Sequence, residues 1–156
     1  MALEFDERGL LAPGIHDASF SDVEQVFGRF QRTDRRIKLV SKLRAYTEQL
    51  ARSGLNCTLI IDGSFVMTQV EAPEDIDIIL ILPSNWDRDA EISPIWYNLL
   101  SRRFTSREFD VEVFPVVAGS ERERMWIDFF TQVNIKWCQH FGWPANLQKG
   151  LVRIVT

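Results

Sequence analysis

Cysteine and histidine are scarce, two of each in 156 residues. Cys57 and Cys138 do not amount to a disulfide framework, and both are expected to stay reduced. Cys138 and His140 sit two apart, but His16 and Cys57 lie far away in sequence, so no structural zinc site is expected. The sequon Asn56-Cys57-Thr58 is expected to go unused. Long apolar runs are missing as well. Segments such as Ile78 to Pro83 fall far short of the ~20 residues that a spanning helix needs. The opening MALEFDERGLLAPG has neither the basic nor the apolar region of a secretory leader. A cytoplasmic protein without a membrane partner is the expectation. Internal repeats, low-complexity tracts and linkers are not visible either, so the chain is expected to form one domain over residues 1–156. Positive charge is not in surplus: the net charge of -4 excludes a protein that coats nucleic acid by bulk electrostatics.

What is present is apolar and aromatic. The 46% apolar fraction, with 11 Phe and 5 Trp, is that of a chain able to bury a core. Residues 1 to 20 read as irregular, with Pro13-Gly14 as a turn signal. N-terminal helices follow within 18–54: a short one starting at Ser21, and a longer one capped by Thr33-Asp34. Leu39, Leu43, Tyr46 and Leu50 line one face of the longer helix before Gly54 ends it. A core over 55–117 then alternates in type. Cys57 to Ile61 and IDIILIL read as strands, the second as a central one. Ser93-Pro94 starts a helix leading into IWYNLLSRRF. FDVEVFPV alternates as a third strand, placing Asp110, Glu112 and Phe114 on one face. In the final part, 118–156, Ser120 and Glu123 form a capping-box pair, an aromatic tail is less regular, and KGLVRIV reads as a last strand. The fold class is therefore α/β (α+β), a small mixed β-sheet with flanking helices, read as lying on one side.

The chemistry concentrates around GSFVMTQVEAPEDID, residues 63 to 77. Asp75 and Asp77 stand at the mouth of a buried-looking strand, and alternation sends both carboxylates to the same face. Carboxylates that lose water need a compensating charge. Mg2+ or Mn2+, which prefer oxygen ligands and bridge readily to phosphate, would supply it. A third acid on the neighbouring strand would complete a two-metal site. Asp110 is the choice, nearer the start of its strand, and Glu112 the alternative. Gly63-Ser64 offers close backbone approach, a hydroxyl and N–H groups, the elements of an anion cradle.

An apolar strand, Gly-Ser, ten intervening residues, Asp-Ile-Asp and a later strand with an inward acid together resemble the DNA-polymerase-β-like nucleotidyltransferases. The matched core runs roughly from Thr58 to Pro115. By that resemblance Gly63 and Ser64 hold a triphosphate, Asp75 and Asp77 bind the metals, and Asp110 is the third carboxylate that assists deprotonation of the acceptor. PGIH (Pro13 to His16), IDGSFV (Ile61 to Val66) and KGLVRI (Lys149 to Ile154) are also similar to a family of small bacterial and phage nucleotidyltransferase-like proteins. The resemblance implies an enzyme that moves a nucleoside monophosphate from an NTP, with ATP as the expected donor, to a hydroxyl of a protein, RNA or small molecule. Two departures stand out. Phe65, Val66 and Met67 replace the Ala-Arg-Gly run of the minimal nucleotidyltransferases that act as antitoxins, and the chain has no room for the helical domains of the larger enzymes.

The remaining candidates have plainer readings beside them. Asp62 is expected to be a structural partner. Trp126, Phe129, Phe130, Trp137, Phe141 and Trp143 are mostly packing, with a minority able to stack a base. Arg35, Arg36, Arg102, Arg103 and Lys149 are candidates for phosphate or acceptor RNA, with Lys149, beside Gly150, the foremost as a nucleotide-binding residue. The rival to an enzyme is an inert module that keeps the fold for recognition of a protein partner, such as the antitoxin of a toxin–antitoxin pair.

Overall fold

The computed structural model describes residues 3–155. In chain order the elements are β1 (Gly14–Ala18), α1 (Phe20–Phe27), α2 (Arg35–Ser53), β2 (Thr58–Asp62), a 3-10 turn (Gly63–Val66), β3 (Ile76–Leu82), α3 (Pro94–Leu100), α4 (Arg102–Phe109), β4 (Val111–Val117), α5 (Glu121–Thr131), α6 (Ile135–Phe141) and β5 (Gly150–Ile154). The strands form one five-stranded mixed sheet in the order β1-β5-β2-β3-β4. The pairs β1–β5 and β3–β4 are parallel, while β2 runs antiparallel to both of its neighbours. The fold class is α/β, a small mixed sheet flanked by helices.

Local chemistry accounts for most element ends. Ser19 caps α1: its hydroxyl accepts from the Asp22 N–H, and the Asp22 carboxylate accepts from the Ser19 N–H, a reciprocal box two residues before the expected start at Ser21. Leu39, Leu43, Tyr46 and Leu50 are buried along α2, which ends at Gly54 in the left-handed conformation. The run IWYNLLSRRF is two helices rather than one. Ser101 adopts extended backbone, ending α3, and its hydroxyl accepts from the Phe104 N–H to start α4. Ser120 caps α5, but the Glu123 carboxylate accepts from Gly119 instead of from the cap residue. Two elements lie in segments whose sequence reads as irregular. β1 has no strand pattern of its own and owes its existence to parallel pairing with β5; α6 is a short helix within the aromatic tail.

Helices cover both faces of the sheet, which corrects the one-sided arrangement. Ile76, Ile78, Leu80 and Leu82 of β3, with Val111 and Val113 of β4, join the core under α1, α2, α3 and α4. Ile79, Phe114, Val116, Ile60 and Leu151 face the other way and pack against Phe130 of α5, with Trp126 and Ile127 beside them. Continuous apolar composition in β3 follows from this double coverage. Among the described residues no helix is long and apolar enough to cross a membrane.

Arg36, on α2, fixes the loop that leads away from the 3-10 turn. It is 1% exposed, and its guanidinium donates to the carbonyls of Phe27, Phe65, Met67 and Val70. Burial lowers its pKa to about 10, which leaves it charged at neutral pH. This corrects its candidacy for phosphate or RNA: its donors are all engaged inside. Arg36→Met should therefore destabilise the fold by about 3–5 kcal/mol in chemical denaturation, because several buried carbonyls lose their donor at once. A loss under about 1 kcal/mol would show that water replaces the guanidinium readily.

Candidate metal centre

Strand alternation decides which acids meet. On β3 the residues between the core isoleucines, Asp77, Ile79 and Ile81, project toward the α5 face; on β4 Glu112 shares that face with Phe114 and Val116. Asp77 is in register with Glu112 on one side and with Asp62 of β2 on the other. Asp75, just ahead of β3, joins them. One ligand oxygen from each of Asp75, Asp77 and Glu112 lies within 4.8 Å of the others. The set consists of hard oxygen donors, the kind that Mg2+ and Mn2+ prefer.

Gly63 makes this closeness possible. Its φ of 76° lies in the left-handed region that favours glycine. A Cβ at this position would also fall 2.1 Å from Asp77 Oδ2, so a side chain here displaces the carboxylate. Gly63 and Ser64 line a cavity of about 640 Å3 together with Asp75, Asp77, Glu112 and Lys149. Five of the six residues expected at the site thus border one space.

The sixth, Asp110, does not, and the reason is backbone conformation. The expected alternation starts one residue too early: Asp110 is the left-handed C-cap of α4, with φ of 51°, and β4 begins at Val111. Aspartate tolerates that conformation better than most residues. The turn sends its carboxylate toward α2, where Lys42 Nζ donates to it at 2.7 Å and Arg35 at 3.4 Å. Burial opposes its charge, but those two cations outweigh burial and hold its carboxyl below the usual range. The third carboxylate of the cluster is Glu112, not Asp110.

Asp62 is the residue that sequence reasoning underrated. It is fully buried, and neither carboxylate oxygen has a hydrogen-bond partner among the described residues. An orphaned carboxylate behind Asp77 is costly unless positive charge is near. Its place at the end of β2, directly before Gly63, is a signal that antiparallel pairing would set it opposite Asp77. Lys149 supplies part of the compensation. It is 3% exposed and its ammonium donates to the Phe130 carbonyl, so it meets the buried acids from within the wall. Arg35 is engaged by the Pro73 and Glu74 carbonyls as well as by Asp110, and Arg102 lies 4.0 Å over the Phe114 ring and donates to the Val113 carbonyl.

The crowding appears in the titration of the cluster. Burial pushes Asp77 up to about 8, and the charges of Asp75 and Glu112 act in the same direction, against Lys149. Asp75 is raised by burial and then by Glu112, Glu74 and Asp110. Asp62 is raised well above the usual range by burial and by Asp77. Burial lowers Lys149 to about 8 despite Asp62 and Asp77. Asp62, Asp75 and Asp77 thus resist ionisation, and a cation beside them would favour their charged forms.

A protein-family model described as Family of unknown function (DUF6932) matches residues 3–155. The chain belongs to this DUF6932 family. No curated protein and no solved structure matches it. In this DUF6932 member the chemistry lies in the carboxylates themselves.

Metal-free stability should carry their signature. An acid whose folded pKa is raised contributes stability while protonated and loses it as the pH rises from its ordinary value to its folded one, here from 3.8 to about 8 for Asp77. Lys149 acts in a separate window, destabilising as pH falls from 10.5 to about 8. Denaturation of wild type and Asp77→Asn without divalent metal should show a gap that widens from about pH 4 to pH 8, with the variant more stable near neutrality by about 1–3 kcal/mol. A gap that is constant or closes with rising pH would contradict the electrostatic account.

Proposed function

We propose that this chain is a metal-dependent nucleotidyltransferase that moves a nucleoside monophosphate from an NTP, ATP in the first instance, to a hydroxyl of a protein, RNA or small molecule. The observation that carries this reading is the convergence of Asp75, Asp77 and Glu112 beside Gly63-Ser64 in one cavity. The orphaned oxygens of Asp62 and the glycine that a Cβ would close against Asp77 both fit a site for Mg2+ or Mn2+. Reduced Cys57 and Cys138, and a substrate that is abundant in cytosol, fit a cytoplasmic location.

In this mechanism Asp75, Asp77 and Glu112 would hold the divalent cation. The ion would supply charge neutralisation for the phosphates and acidify the attacking hydroxyl. The Gly63-Ser64 backbone and hydroxyl orient the triphosphate against the carboxylates. The acceptor oxygen forms a bond to the α-phosphorus while the bond from that phosphorus to the diphosphate oxygen breaks. The hydroxyl proton passes to a carboxylate oxygen of the site or to water. Lys149 borders the same cavity from a buried position, its ammonium donating to the Phe130 carbonyl, and its charge partly compensates Asp62 and Asp77. Most of the acceleration is positioning and charge neutralisation.

One observation favours the inert module instead: Lys149 partly balances the acids without any metal. Incubation with labelled NTPs, Mg2+ or Mn2+ and a host lysate separates the two readings. Transfer of label should fall at least about a hundredfold in Asp77→Asn and in Glu112→Gln, and persist in Asp110→Asn. Label transfer that depends on Asp110 and ignores Glu112 would refute the assignment, and no transfer under any metal would favour the inert module.

A further inference from the structure

The cavity has a second wall that phosphate chemistry does not use. Besides the carboxylates, the end of α5, the start of α6 and the link between them contribute Phe129, Val133, Ile135 and Trp137, with Gln132 and Asn134. Phe129 and Ile135 are large apolar side chains left 58% and 50% exposed, in a protein whose other aromatic residues on this face are largely covered. Phe129 is not loose. Its ring meets those of Phe130 and Trp126 at steep angles, 84° and 88°, with centroids 5.0 and 5.6 Å away, so it is braced from behind while much of its surface stays open. Trp137 is likewise braced, stacked on Phe141 at 24°.

We propose that this wall, with Phe129 as its main contact, binds the nucleobase of the nucleotide whose phosphates lie against Gly63-Ser64 and the carboxylates. The inference rests on the nucleotidyltransferase reading and adds to it the place and means of base binding. Three observations lead to a planar, heteroaromatic occupant. The wall is continuous with the polar one in a single cavity of about 640 Å3, a size that takes a small ligand with most of its surface buried. Exposed, rigidly supported aromatic surface is what a base stacks on, and such stacking tolerates any base because every base has a π-face. Amide side chains flank it: Asn134 uses its carbonyl oxygen to cap α6 through the Lys136 N–H, which leaves its NH2 group as a donor, and Gln132 offers both donor and acceptor. Amides of this kind pair with base edges. An apolar peptide would not need the amides, and a bare polyphosphate would leave the aromatic wall exposed.

Calorimetry with ATP and with inorganic tripolyphosphate, each in excess Mg2+, tests the proposal on wild type, Phe129→Ala and Ile135→Ala. Both side chains are at least half exposed, so their removal opens no buried cavity, and a thermal melt of each variant checks that the fold is kept. ATP should bind more tightly than tripolyphosphate, and Phe129→Ala should weaken ATP about tenfold or more while tripolyphosphate binding stays the same. Equal affinities for the two ligands, with no effect of Phe129→Ala, would overturn the base wall and leave the metal and phosphate reading standing. Absence of Mg2+-dependent binding for both ligands would overturn the two together. Weakening of both ligands alike by Phe129→Ala would also count against a base contact, since tripolyphosphate carries no base.

Discussion

Repulsion among carboxylates on one end of one sheet face is the constraint around which the rest is arranged. Asp62, Asp77 and Glu112 occupy adjacent strands in register, and Asp75 adds a fourth acid at the edge. Such a group is tolerable only with a compensating charge or with protons retained. The protein applies both: Lys149 sits buried against the acids, and burial holds Asp77 and Asp62 toward their neutral forms. Glycine at position 63 lets the backbone pass Asp77 without a clash. Arg36 then ties the outgoing loop to α1 and α2, so the acids stand on a fixed base. A divalent cation would relieve the repulsion that all of these features contain.

Much of this was legible in the sequence, and the parts that were not share a physical cause. Length and composition mark IDIILIL as a central strand because both of its faces are covered, and the 3.6-residue periodicity of α2 is direct. Asp75, Asp77 and the Gly-Ser bend follow from local pattern alone. The choice between Asp110 and Glu112 depended on where β4 begins. Alternation cannot tell a strand residue from a helix cap in the left-handed region, and that one residue reverses where the side chain goes. β1, whose five residues carry no periodicity, exists through pairing with β5, a contact more than a hundred residues away in sequence. Asp62 and Lys149 were visible as residues but not as neighbours, since their relation depends on the order of strands.

The site also divides by chemistry. One side is anionic and hard, suited to a cation and phosphate; the other is aromatic with amides, contributed by α5 and α6. The polar side comes from β2, β3 and β4 and the segments at their ends, whereas the aromatic side comes from α5, α6 and the link between them. Under the proposed function, a division of this sort would let substrate choice vary with the helical wall while the carboxylate wall stays constant, in keeping with the way one fold hosts many functions.

Binding of Mn2+ followed by electron paramagnetic resonance is the decisive test of a metal centre at Asp75, Asp77 and Glu112, because the signal reports the ion itself and needs no substrate. The account predicts that wild type takes up Mn2+, that Asp77→Asn and Glu112→Gln each weaken it by about tenfold or more, and that Asp110→Asn leaves it unchanged. A wild-type chain that leaves all Mn2+ free in solution, or one whose uptake is indifferent to Asp77 and Glu112, would contradict it.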